Sequence, residues 1–361
     1  MHVPFCYSKC AYCDFYSYGA DVAVYEEYTK ALCKHLESAG ECLHRGCDTL
    51  YFGGGTPSLL GGERIARLIK AAKRGFEFTK DAEITVEVNP ADNLRHDFEL
   101  MAEAGVNRLS LGVQSAIDTE LTSLSRRHCN SDVERTVKDS RKAGINNISL
   151  DLMLGIPHQT METLKASLDF LLVQEPTHIS CYMLKIEPET PFGKTGIEKL
   201  CLPDEDATAD MYLFTSEYLR ANGFEHYEIS NFAKPGYRSR HNTKYWLCEE
   251  YLGLGPSAYS YLNGKRFRFE RDSAQYLSCP ATVSDGDGGD FFEYCMLRLR
   301  LSDGIDFAEL SHRFGREKTD MLKAKAERLK STELLTVSDS KLSLTVEGFL
   351  VSNTVISELL F

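Results

Sequence analysis

Apolar positions recur at helical spacing over residues 24–39, where Tyr28, Ala31, Leu32 and Leu36 share one face, and the pattern predicts a helix ending near Gly40. A strand is predicted next, Thr49-Leu50-Tyr51-Phe52, running into Gly53-Gly54-Gly55-Thr56-Pro57 and then a helix over 62–74 that Gly75 closes. Residues 83–88 alternate as a strand and end in Glu87-Val88-Asn89-Pro90. Residues 104–111 and 143–150 repeat each other at an offset of 144 − 105 = 39. In each, a helix stops at a glycine suited to the left-handed position after its end, and a short apolar strand begins. A helix over 161–174, a strand over 177–184 and a helix over 204–222 before Gly223 follow.

Strand and helix therefore alternate about six times over 1–225, at roughly 35 to 40 residues per unit, which predicts parallel β/α units. The expected fold is α/β: a partial (β/α)6 TIM-like barrel, followed by a connecting region over 226–289 and a C-terminal domain over 290–361. In the connecting region the pattern loosens into turns and aromatics, and 284–290 reads as its linker or exposed loop. Beyond it, helices are predicted over 291–301, 306–314, 317–329 and 348–360, with short strands over 334–337 and 342–345. Helices with a β-wing suggest a winged-helix-like module.

A formal net charge of −12 argues against a nucleic-acid partner, because phosphate contacts need clustered Lys and Arg. No apolar run approaches the length of a membrane span and no leader pattern opens the chain, so a cytoplasmic location is expected. Twelve cysteines scattered through such a chain are expected to be reduced thiols.

Three of them stand apart. His2 to Phe15 contains Cys6, Cys10 and Cys13 in a C-x-x-x-C-x-x-C spacing. A structural zinc site closes its shell with four ligands. A cubane iron-sulfur cluster offers four irons, so three thiolates leave one open. A zinc knuckle with a distant fourth ligand is the alternative, and no second cysteine pair of zinc-ribbon spacing follows.

With Pro4-Phe5-Cys6 and Tyr12-Cys13-Asp14-Phe15, this loop resembles the radical S-adenosylmethionine superfamily, in its coproporphyrinogen-dehydrogenase-like branch. The resemblance implies a 4Fe-4S cluster on Cys6, Cys10 and Cys13, with S-adenosylmethionine chelated at the open iron. It implies a methionine-binding turn at Gly54, Gly55 and Thr56, and further S-adenosylmethionine contacts from Glu87, Gln114, Arg126 and Asp151. Tyr12 is read as a packing aromatic, a contact to adenine or cluster, or both. These residues fall at or just past predicted strand ends, where β/α barrels carry their sites.

Two features divide the branch. Its coproporphyrinogen dehydrogenases carry a further cysteine where this chain has Phe15. Arg240-His241-Asn242-Thr243-Lys244-Tyr245-Trp246 matches the H-N-x-x-Y-W motif of its heme chaperones. In that reading His241 supplies an axial nitrogen to heme, Tyr245 and Trp246 enclose the porphyrin, and Arg240 or Lys244 meets a propionate. The resemblance thus implies heme, an acceptor protein for it and an electron donor. The alternatives are an oxygen-independent coproporphyrinogen III dehydrogenase, which makes a 5′-deoxyadenosyl radical and decarboxylates two propionates, or another radical S-adenosylmethionine enzyme.

Overall fold

Six strands lie parallel in chain order: β1 (His2–Val3), β2 (Gly46–Gly54), β3 (Glu77–Val88), β4 (Arg108–Gln114), β5 (Asn147–Leu154) and β6 (His178–Met183). The structure is a computed structural model and describes residues 1–92 and 94–361. Parallel neighbours need crossovers. The helices Val22–Leu43, Gly62–Gly75, Arg95–Ala104, Asn130–Lys142 and Met161–Val173 supply them, which is the expected β/α succession. β7 (Glu225–Glu228) and β8 (Asn231–Ala233) then join antiparallel, giving the order β1-β2-β3-β4-β5-β6-β8-β7. Among the described residues β1 and β7 do not pair, so the sheet stays open as a part-barrel.

Period-two alternation divides each strand between two surroundings. Leu109, Leu111 and Val113 of β4, with Ile148, Leu150, Leu152 and Leu154 of β5, pack in the main apolar core. Their neighbours Arg108, Ser110, Gly112, Gln114, Asp151 and Met153 line a cavity on the other face of the sheet. Closed β/α barrels fill that space with Val, Ile and Leu. Here the lining mixes charged and polar side chains with apolar ones, and the interior is available to a ligand.

Gly40 does not end the first helix, which runs to Leu43 and stops at His44 in the left-handed region (φ 46°). A Cβ on Gly40 would lie 2.1 Å from the Gly75 carbonyl oxygen, so this glycine allows two helices to touch. The region 226–289 is more ordered than its sequence pattern suggests. It completes β7, holds β8 and the helix Arg240–Trp246, and builds an antiparallel sheet from β9 (Tyr259–Leu262), β10 (Lys265–Phe269) and β11 (Thr282–Asp287). Most of the expected 284–290 loop is the edge strand β11, whose residues are all exposed. Its polar composition reflects a solvated edge.

The C-terminal segment holds the helices Phe291–Arg298, Phe307–Phe314 and Arg316–Leu329, then a small sheet of β12 (Ile305–Asp306), β13 (Leu335–Val337) and β14 (Lys341–Leu344) in the order β12-β14-β13. The last expected helix is broken at Val351 into Val346–Leu350 and Ser352–Leu360. This segment is tied to the edge of the main sheet. Arg300 meets the buried Glu228 at 3.1 Å, and the Ile229 N–H donates to the Arg300 carbonyl at 3.1 Å.

Candidate functional site

The cysteine loop follows β1 and crosses the C-terminal ends of the strands. The Thr56 N–H donates to the Phe5 carbonyl at 2.6 Å and the Phe192 N–H to the Ala11 carbonyl at 3.0 Å, which pins the loop at both sides. Cys6 Sγ lies 3.5 Å from Thr56 Oγ1. Arg126 Nη1 donates to Cys10 Sγ at 3.6 Å, placing a positive charge where a thiolate would form. Burial pushes the Cys13 thiol up. Among the described residues no three His, Cys, Asp or Glu side chains converge on a site for a single ion.

The three glycines after β2 each have a steric reason. A Cβ on Gly53 would meet the Tyr51 ring at 2.9 Å and a Glu87 oxygen at 3.0 Å. Gly54, at φ 112°, lies against the His2 ring, and Gly55 against the Phe5 carbonyl. The turn therefore passes between the cysteine loop and β3 with no room for side chains. Glu87 accepts from Tyr51 Oη at 2.8 Å and from the Gly54 N–H at 3.2 Å. Burial, with a smaller push from Asp151, lifts its carboxyl to about 7, although both hydrogen bonds pull the other way.

Gln114 sits at a register shift between β4 and β5, at φ 69°, a conformation that costs a non-glycine residue energy and is common at functional sites. Its Oε1 accepts from Tyr182 Oη at 2.7 Å. Asp151 accepts from Ser110 Oγ at 3.2 Å, and burial raises its carboxyl despite the charges of Arg108 and Arg126 nearby. Tyr12 is half-buried against a small cluster of Leu124, Met153, Ile156, Phe192 and Leu200, and also faces the cavity. All three cysteines, Tyr12, Gly54, Gly55, Thr56, Glu87, Gln114, Arg126 and Asp151 line one cavity of about 620 Å³, a size suited to a small-molecule ligand.

His241 is not gathered to the loop with the others. It lies on the helix Arg240–Trp246, with Nδ1 2.8 Å from Thr49 Oγ1 and Nε2 2.8 Å from Tyr245 Oη. An axial nitrogen for heme is expected from His241; both of its ring nitrogens are engaged, and heme could coordinate only after one bond is given up. Burial, helped by the charges of Lys244 and Arg108, holds the ring neutral by lowering its pKa to about 3. Its neighbours are also committed. Arg240 pairs with Asp81, Lys244 with Asp48 and Glu249, Tyr245 packs edge-on to Tyr251, and Arg300 covers Trp246 at 4.3 Å.

Sequence reasoning missed Tyr51, Tyr182 and Arg108. Arg108 is 1% exposed, lines the cavity, and has two nitrogens without a hydrogen-bond partner among the described residues. Alternation in Arg108-Leu109-Ser110-Leu111-Gly112-Val113-Gln114 puts it on the same face as Gln114, which is the signal that was available.

The radical SAM superfamily model matches residues 1–171, and the HemN C-terminal domain model matches residues 291–351. Heme chaperone HemW of Lactococcus lactis is 33% identical over 369 aligned positions, covering 100% of this chain and 96% of that protein. The chain belongs to the heme chaperone HemW family. Its counterpart in Bacillus subtilis is 33% identical over 98% of this chain and 97% of its own, and that of Synechocystis is 38% identical over 86% and 79%. Coproporphyrinogen III oxidase (HemN) of Escherichia coli shares the fold, with a TM-score of 0.86 over 99% of this chain and 88% of that one, at 21% identity. No helix among the described residues is long and apolar enough to cross a membrane.

Proposed function

We propose that the chain is a heme chaperone that holds a 4Fe-4S cluster on Cys6, Cys10 and Cys13, binds S-adenosylmethionine beside it, and carries heme for transfer to an acceptor protein. The observation that carries this reading is family membership over the whole chain, joined to a cavity in which the three thiols meet polar strand ends. A cluster held by three thiolates supplies an iron that can take the amino and carboxylate groups of S-adenosylmethionine. This chain's residues would hold the rest of that ligand. Gly54, Gly55 and Thr56 would hold its methionine part, Glu87 and Asp151 would accept its polar hydrogens, and Gln114, Arg126 and Tyr12 would give it further contacts from the same cavity. We place the work in the cytoplasm, with an electron donor for the cluster, and keep 1–225, 226–289 and 290–361 as the working division of the chain.

The competing reading is coproporphyrinogen III dehydrogenase. Against it stands Phe15, 67% exposed and lining the cavity, where those enzymes carry a cysteine. Protein reconstituted without oxygen is to be offered heme, and separately coproporphyrinogen III with S-adenosylmethionine and a reductant. The proposal predicts a saturable Soret band with the first and no decarboxylation of the second. Stoichiometric turnover would overturn it.

A further inference from the structure

The helix bearing the H-N-x-x-Y-W motif borders the candidate S-adenosylmethionine cavity, whose lining includes its Asn242. Its first turn is fixed by one carboxylate: Glu83, 6% exposed, accepts the N–H of Arg240 at 3.1 Å and that of His241 at 3.0 Å. Ser239 caps the turn through its Oγ. The His241 ring is then held on three sides, by Thr49, by Tyr245 and by a stacked contact with Tyr51 at 5.1 Å between centroids and 20° between planes. Tyr51 also reaches the space left by Gly53, and its hydroxyl donates to Glu87.

We infer that His241 is a positioning residue for Glu87, acting through Tyr51, so that the motif helix sets the geometry of the S-adenosylmethionine pocket. The inference rests on the reading of Glu87 as an S-adenosylmethionine contact. A phenol has two rotatable side-chain torsions, and its hydroxyl stays on one carboxylate oxygen only while the ring is clamped on its faces. One face meets His241. Without that ring Tyr51 can tilt, and Glu87 keeps only the Gly54 N–H of its two donors, which holds the carboxylate less firmly in the position in which it would meet the ligand. Thr49 and Tyr245 serve the same end, since they fix the plane of the imidazole.

The test uses the full chain, reconstituted without oxygen and matched for iron content. S-adenosylmethionine affinity is read from its effect on the EPR spectrum of the reduced cluster, in wild type, Tyr51→Phe, His241→Ala, His241→Phe and the double variant Tyr51→Phe/His241→Ala. Losing one hydrogen bond to a charged group predicts about a tenfold weaker affinity in Tyr51→Phe and in His241→Ala. The double variant should be no weaker than either alone, because both act through one contact. His241→Phe, which keeps a flat ring against Tyr51, should recover most of the affinity and also serves if the alanine variant does not fold. Additive losses, or wild-type affinity in His241→Ala while Tyr51→Phe is weakened, would overturn the inference. Wild-type affinity in Glu87→Gln would instead sink the reading of Glu87 on which it rests.

Discussion

Glu87 shows most clearly how one residue's surroundings set its chemistry. A carboxyl lifted from 4.5 to about 7 by burial favours the fold only while it is protonated. Its stabilising contribution is complete below pH 4.5 and is lost as the pH rises through 7. The full shift corresponds to about 3 kcal/mol. Urea unfolding without S-adenosylmethionine should therefore find Glu87→Gln gaining on wild type between pH 5 and pH 8. An identical pH slope in the two proteins would contradict the burial argument. Glu87 was singled out by the resemblance of Glu87-Val88-Asn89-Pro90 to the family's stretch, and it lines the cavity. Tyr51 was not, because nothing in Thr49-Leu50-Tyr51-Phe52 says which face meets the ligand until β2 and β3 are in register.

At the scale of elements, the long β/α succession could be read from pattern because each unit carries its own punctuation. Gly105 and Gly144 adopt the left-handed conformation that their repeat implies, at φ 110° and 94°. Gly40 looked the same and was not, since the need it meets is the approach of a second helix, which lies outside any local window. The region 226–289 was harder for a related reason. β7 and β8 span four and three residues, β8 held by β6 and β7 by β8, so their stability is tertiary and leaves little periodic trace. The seven-residue helix Arg240–Trp246 is too short to stand alone. Its first turn depends on Glu83, and Glu83→Gln, which leaves only one good acceptor for two N–H groups, should cost about 1–3 kcal/mol. A denaturant midpoint equal to that of wild type would show that the helix is secured elsewhere.

Across the whole molecule, an open sheet lined in part by charged and polar side chains, a thiol loop over its strand ends and a motif helix that contributes Asn242 converge on one cavity. The C-terminal segment contributes to that assembly through Arg300, which links Glu228 at the sheet edge to Trp246 of the motif. The central claim is that the three loop thiols and the strand-end residues form a single cluster and S-adenosylmethionine site. Iron content and the S-adenosylmethionine-induced EPR change, measured together on anaerobically reconstituted wild type and Cys13→Ala, test it directly. The account predicts about four irons and a clear spectral change in wild type, with most of both lost in the variant. A full cluster in Cys13→Ala, or tightly bound zinc in place of iron in the wild type, would contradict it.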